Sequence, residues 1–212
     1  MDQNKIKPRI LVATGNPGKI KELRAMLGSE VEWVGLSDFA DIGQVREDGS
    51  TFAENARKKA VGYAKATGLW TIADDSGLVV DALGGQPGVK SARFSGEKSQ
   101  ATDRTLIDHR NIAKVLEMLK GVPKEKRTAR FICCLCLASP EGILAETNGT
   151  LEGLIGNREM GTGGFGYDPI FFVPQLGKTV AQLAAEEKNA ISHRGQAIRK
   201  LRPVLSELLG AV

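Results

Sequence analysis

The chain has 212 residues, 42% of them hydrophobic, which is enough for one large domain or two tightly joined lobes around an ample core. Twenty-nine basic against 25 acidic residues leave a net charge of only +4, and aromatic residues make up 5%, a balance that argues against an RNA-binding protein but suits attraction of a small anion. Met1–Pro8 is polar and basic with no apolar segment behind it, and no apolar run is long enough to cross a bilayer, so a cytoplasmic protein is expected.

Arg9–Ala13 is a short apolar run of strand formers. Thr14-Gly15-Asn16-Pro17-Gly18-Lys19 interrupts it, and Ile20, Leu23, Met26 and Leu27 then recur at helical spacing. Strand, glycine loop and helix follow from that order. A helix start after such a loop is expected to present free backbone N–H groups and the positive end of the helix dipole to a phosphate, with Lys19 as a mobile cation in the first turn. The glycine spacing is too short for a Walker loop, and no Ser or Thr follows the lysine. The same residues also suit an ordinary strand-to-helix turn with an exposed lysine.

Val31–Leu36 predicts a second strand. After the polar loop Gln44–Ser50, Thr51 and Glu54 stand at capping-box spacing, and a helix is predicted from there to Ala66 or Thr67, with Gly68 as its stop. Glu54 therefore has a structural task at the helix start. Glu47, in the uncapped loop before it, has none and is the better candidate metal ligand.

Ile72-Ala73-Asp74-Asp75-Ser76-Gly77-Leu78 predicts two strands joined by an acidic turn. Two acids at the end of a buried strand cost desolvation unless a cation or a donor answers them, and a hard divalent metal is a common answer. An Asp-Ser-Gly turn bonded to its own backbone is the competing reading.

The breakers in Ala82–Gly96 predict a long irregular loop, of the kind that is usually functional or mobile. Thr102–Leu119 places Leu106, Ile107, Ile112, Val115, Leu116 and Leu119 on one helical face, ended by Gly121 and Pro123. Arg130–Ala138 and Ile143–Thr150, joined by Ser139–Gly142, predict a hairpin that Leu151–Ile155 extends or flanks. Cys133, Cys134 and Cys136 fall in its first strand, and neighbours there point to opposite faces, so they read as reduced thiols and not as a disulfide framework or zinc ligands.

Gly161–Pro169 is the densest glycine cluster, with Phe165, Tyr167 and Asp168 inside it and the apolar Ile170–Val173 behind it. Bare backbone beside aromatics and a carboxylate suits a flat heteroaromatic ligand, while a glycine-rich hairpin with core aromatics is the plainer reading. Glu186-Glu187-Lys188 and Ser192-His193-Arg194-Gly195 flank a predicted helical break. A terminal amphipathic helix follows through Ile198, Leu201, Val204, Leu205 and Leu208, with Pro203 as a possible kink. Ser192 suits a helix cap, and Lys188, His193 and Arg194 offer donors to an electronegative ring or a phosphate. Alternating strands and helices followed by a hairpin predict an α/β protein with a mixed sheet.

Together these motifs resemble the Ham1, or inosine triphosphate pyrophosphatase, family of noncanonical purine nucleoside triphosphate pyrophosphatases, and its bacterial members above all. The matching segments are Thr14–Lys19, Asp48–Ala56, Ala73–Leu78, Gly161–Phe172 and Glu186-Glu187-Lys188 through Ser192–Gly195, in the family's order and over nearly the whole chain. The resemblance implies a single domain over residues 1–212 with a flexible start at 1–8. It implies two lobes, a long mixed β-sheet flanked by helices, an active-site cleft between the lobes, and a homodimer. It also implies one Mg2+ per subunit and hydrolysis of inosine, deoxyinosine and xanthosine triphosphates (ITP, dITP, XTP) to the monophosphate and pyrophosphate.

Carried over by position, the resemblance implies that Thr14, Gly15, Asn16, Pro17, Gly18 and Lys19 hold the phosphates and that Lys19 stabilises transferred charge. It implies Glu47 and Asp75 as magnesium ligands, with Asp75 also the proton acceptor. It implies that Ser76, Phe165, Gly166, Tyr167, Asp168, Lys188, His193 and Arg194 contact the nucleotide. The expected partner is a small nucleotide, not nucleic acid or membrane. Two departures stand out: the residues ahead of Arg9, and Arg46 where a second acid beside Glu47 is expected. A nucleotide sensor without hydrolysis and a Maf-type pyrophosphatase are the rival readings.

Overall fold

The computed structural model describes residues 7–96 and 104–210. Its strands are β1 (Arg9–Val12), β2 (Glu32–Gly35), β3 (Trp70–Val80), β4 (Thr128–Ser139), β5 (Gly142–Ile155), β6 (Phe171–Val173) and β7 (Lys178–Thr179). The α-helices among these residues are α1 (Pro17–Leu27), α2 (Phe52–Thr67), α3 (Arg104–Met118), α4 (Ala185–Ile191) and α5 (His193–Gly210). The strands form one mixed sheet in the order β2-β1-β3-β4-β5-β6-β7. β1 is parallel to both β2 and β3, with α1 and α2 as the crossovers, whereas β6 runs antiparallel to β5 and to β7. The predicted α/β class and mixed sheet are observed.

One prediction about the centre of the chain is corrected. Asp74-Asp75-Ser76-Gly77 is not a turn, because β3 runs unbroken for 11 residues through it. Both carboxylates meet lysine ammonium groups, so the strand carries them without having to bend toward solvent. Smaller differences concern ends and faces. β2 is shorter than the Val31–Leu36 run, since Leu36 already opens a 3-10 turn. Leu106 is 44% exposed, off the packed face that α3 forms with Ile107, Ile112 and Val115. The start assigned to that helix at Thr102 lies outside the described residues, as do most of residues 1–8. The helical break is observed at Ser192, whose hydroxyl accepts from Gly195 N at 3.0 Å and caps α5, and Pro203 lies within that helix without ending it.

The chain divides into two compact units. The first comprises the described residues up to Asp75, Cys134–Asn148 and those from Ala197 on, and the second those of Ser76–Cys133 and Gly149–Gln196. In the first, Ala56, Ala60, Tyr63 and Ala64 of α2 pack with Leu11, Val34, Ala73, Cys136 and Ala138. The alanines recur at helical spacing and let α2 lie close against the strands. In the second, Leu78, Val80, Ile112, Val115, Phe131, Ile155 and Phe171 share one core. Among the described residues no helix is long and apolar enough to cross a membrane.

Candidate active site

The first unit gathers the Thr14–Lys19 loop, Glu47 and the two aspartates. The loop meets one expectation and departs from another. Asn16 caps α1, its side-chain oxygen accepting from Gly18 N at 2.9 Å and Lys19 N at 3.3 Å, while Ile20 N donates to the Asn16 carbonyl. Pro17 has no N–H, so the first-turn donors of α1 are already satisfied, contrary to the expectation of free backbone groups there. What the loop offers an anion is Lys19, whose ammonium pairs with the buried Asp74 carboxylate, together with the Thr14 hydroxyl and the Asn16 amide. Asn16 N donates to that hydroxyl at 3.2 Å.

Glu47 and Asp75 do converge, and they converge on a lysine. Lys59 of α2 donates to Glu47 Oε2 at 2.9 Å, to the Asp74 carbonyl at 2.7 Å and to Asp75 Oδ1 at 3.2 Å. Asn55, one turn earlier, donates to Asp75 Oδ2 at 3.3 Å. Burial pushes the Asp75 carboxyl above its ordinary range; the nearby Lys59 and Lys19 offset this in part, and Asp74 adds to it. Burial also acts to lower Lys59, but Asp75, Glu47 and Asp74 outweigh it and hold its pKa above that of a free lysine. The two shifts are compatible. Lys59 is shared among three oxygens, so the ammonium is secured while Asp75 receives only part of its charge.

Glu54 takes the structural part expected of it, although its carboxylate bonds Ser50 N at 2.7 Å and Ser50 Oγ at 2.9 Å while Thr51 caps Glu54 N at 3.1 Å. Those bonds from Ser50 hold the Glu54 carboxyl below its ordinary range.

The second unit brings together Ser76, Phe165, Asp168, Lys188 and Arg194. Lys188 lies 4.5 Å from the Phe165 ring centroid and the Arg194 guanidinium 5.6 Å from it. Arg194, 1% exposed, donates to Ser76 Oγ at 2.8 Å. Asp168 does more for the loop than its sequence position suggests: Oδ2 accepts from Phe165 N at 2.9 Å and from Lys188 at 2.6 Å. A Cβ on Gly164, whose φ is +74°, would collide with that carboxylate. Gly166 N donates to Asp108 on α3 at 2.8 Å, and the buried Tyr167 hydroxyl donates to the Ser91 carbonyl at 2.8 Å. His193 is buried in an aromatic stack, its ring 4.9 Å from Phe131, which in turn lies 4.3 Å from Phe171.

Motif spacing does not single out Asn55 and Lys59, yet both touch Asp75. A signal is nevertheless present in the sequence. Beside Ala56, Ala60 and Ala64 on α2, the polar Asn55 and Lys59 stand four apart, where burial demands a partner.

The Ham1 family matches residues 10–204 of the chain. A Geobacillus kaustophilus protein named dITP/XTP pyrophosphatase is 50% identical over 202 residues, covering 95% of this chain and 96% of its own. A Geobacter sulfurreducens protein of the same name is 51% identical over 195 residues, covering 92% and 94%. The solved structure of the Staphylococcus aureus Ham1 protein aligns with a TM-score of 0.81 at 41% identity, covering 94% of this chain and 98% of its own.

Proposed function

Because the chain belongs to the Ham1 family, we propose that it hydrolyses noncanonical purine nucleoside triphosphates (dITP, ITP and XTP) to the monophosphate and pyrophosphate, by attack of water on the α-phosphorus. The observation that carries this reading is the convergence of Glu47 and Asp75 on one ammonium, with Lys19 held at the neighbouring Asp74. Carboxylates suited to a cation and a proton, next to a lysine suited to a polyanion, support the reading.

The donor set fits magnesium. That ion is commonly held by one or two carboxylates and completes its shell from water and substrate phosphates. Glu47 and Asp75 would hold it, and among the described residues no group of three or more acids, histidines or cysteines forms a closed cage. When bound, the ion neutralises charge that builds on the phosphate oxygens and on the leaving pyrophosphate. Asp75 Oδ1 or Oδ2 takes the proton of the attacking water, a task favoured by the upward push that burial gives its carboxyl. Lys19 follows the charge of the transferred group, and Thr14 and Asn16 supply further donors.

In the second unit, Phe165 offers a face to the purine, and the cations beside it carry donors only. A 6-keto oxygen accepts from such groups. The 6-amino group of adenine meets donor with donor, and that penalty gives selectivity against adenine, while guanine shares the 6-keto oxygen and escapes it. The test is incubation of purified protein with ITP and Mg2+, followed by product analysis and comparison of kcat/KM for dITP, XTP, ATP and GTP. Pyrophosphate with monophosphate, and a preference for dITP and XTP, are expected. Release of orthophosphate, or equal kcat/KM values, overturns the reading.

A further inference from the structure

The loop that carries Glu47 lies along one stripe of α2. Val45 N donates to Tyr63 Oη at 3.3 Å, Glu47 accepts from Lys59 at 2.9 Å, and Gly49 N donates to Asn55 Oδ1 at 2.8 Å. Alternate loop residues thus meet successive turns of the helix in antiparallel order: 45 with 63, 47 with 59, 49 with 55. The spacings match, since two extended residues cover roughly 6.6 Å and four helical residues about 6 Å. Asn55 closes the stripe at the end that reaches β3. It is 1% exposed, accepts from Gly49 through Oδ1, and donates through Nδ2 to Asp75 Oδ2 at 3.3 Å.

A carboxamide can accept and donate at once, as this place requires; a carboxylate or an ammonium cannot. Gly49 is matched to it from the other side. A Cβ there would lie 2.7 Å from Asn55 Oδ1 and 2.8 Å from Glu54 Cβ, so only hydrogen fits.

We propose that Asn55 is a positioning residue that ties the backbone of the Glu47 loop to the Asp75 carboxylate, keeping both acids turned to one cation position. The role rests on the metal-assisted hydrolysis proposed above and acts through Glu47 and Asp75, not by contact with substrate. Removal of such a support costs about 10- to 100-fold in metal affinity.

The experiment measures Mn2+ affinity of the nucleotide-free protein by electron paramagnetic resonance and exchange of the Gly49 amide by NMR, for wild type, Asn55→Ala, Gly49→Ala and the double variant. Gly49→Ala replaces no residue of α2 and presses only on Glu54 and Asn55 in its first turn, so it serves where Asn55→Ala fails to fold. Each single variant is expected to weaken Mn2+ binding at least about tenfold. The double variant should be no worse than the weaker single one, because both break the same link. Gly49 exchange should speed up in Asn55→Ala, and excess Mg2+ should restore kcat in both single variants with little change in nucleotide KM. Mn2+ affinity within twofold of wild type, slow Gly49 exchange in Asn55→Ala, or absence of Mn2+ binding by wild type overturns the role of Asn55. Wild type that binds Mn2+ but cleaves no nucleotide overturns the hydrolase reading, and with it the reaction that Asn55 would serve.

Discussion

Lys59 on α2 holds its ammonium nitrogen 3.2 Å from a carboxylate oxygen of Asp75 on β3. With Lys19 at Asp74, the pair explains how β3 carries two adjacent acids without turning. A helix lysine answers the strand acid from one element away in sequence.

Lys59→Met removes that answer. It leaves Asp75 and Glu47 facing each other with no cation between them, a loss of about 2–3 kcal/mol. That is less than the roughly 3–5 kcal/mol of a fully buried pair, because 31% of the Glu47 side chain stays in water. Thermal unfolding should show the loss, and Mg2+ should recover part of it. The pH dependence has a definite sign. The pKa of Lys59 is raised in the folded protein, so its contribution is fully present below the 10.5 of a free lysine and is lost as pH rises through the folded value. The stability gap between wild type and variant should therefore close as pH rises past that point, and it should also narrow toward acid, where the Asp75 carboxyl, pushed further up once Lys59 is gone, takes up a proton.

Asp75→Asn separates chemistry from stability. The amide cannot take a proton from water, so kcat should fall by about 10²- to 10⁴-fold while the nucleotide still binds. The amide sheds the desolvation cost of the Asp75 charge but withdraws part of the support of Lys59, to which it still offers an oxygen, so Tm should change little. Near-wild-type turnover would remove Asp75 from the reaction.

Lys19→Ala should lower kcat sharply and also expose the cost of Asp74, whose side chain is fully buried against Lys19. Here both Tm and turnover should fall, in contrast to Asp75→Asn. Intact rates would show that Lys19 serves only as a counter-ion to Asp74.

Gly164→Ala forces a Cβ into a left-handed position against the Asp168 carboxylate. Asp168 must then release Phe165 N, Lys188 or both, so Tm should drop by the equivalent of about 1–3 kcal/mol and nucleotide KM should rise. Unchanged KM in steady-state assays would show that the loop does not hold the base.

The thiols offer a check on β4. Burial, with Glu146 nearby, pushes the Cys136 thiol up to about 12, and burial beside Asp75 and Asp74 also raises Cys134. Native protein treated with iodoacetamide at neutral pH should therefore alkylate slowly. The half-buried Cys134 should react before Cys133 and Cys136, which should label only on denaturation. Mass spectrometry reads the order.

Local patterns carried much of this architecture in the sequence. The Thr51 cap, the Gly68 stop and the Ser192 cap each announce a helix boundary through a few neighbouring residues, and each is found in place. The continuous β3 is not legible, because Asp-Asp-Ser-Gly has the composition of a turn and its acids are answered by Lys19 and Lys59 from other elements. The capped donors at Asn16 were hidden for a related reason: the same asparagine that marks a phosphate loop also closes the helix it opens. Asn55 and Lys59 read as ordinary helix polar residues until the face they occupy is known.

The most direct measurement is hydrolysis of dITP in water enriched in oxygen-18, with the label followed by mass spectrometry. Attack of water on the α-phosphorus, with Asp75 as proton acceptor, predicts one labelled oxygen in deoxyinosine monophosphate and none in pyrophosphate. Label in pyrophosphate, or in released orthophosphate, would contradict it.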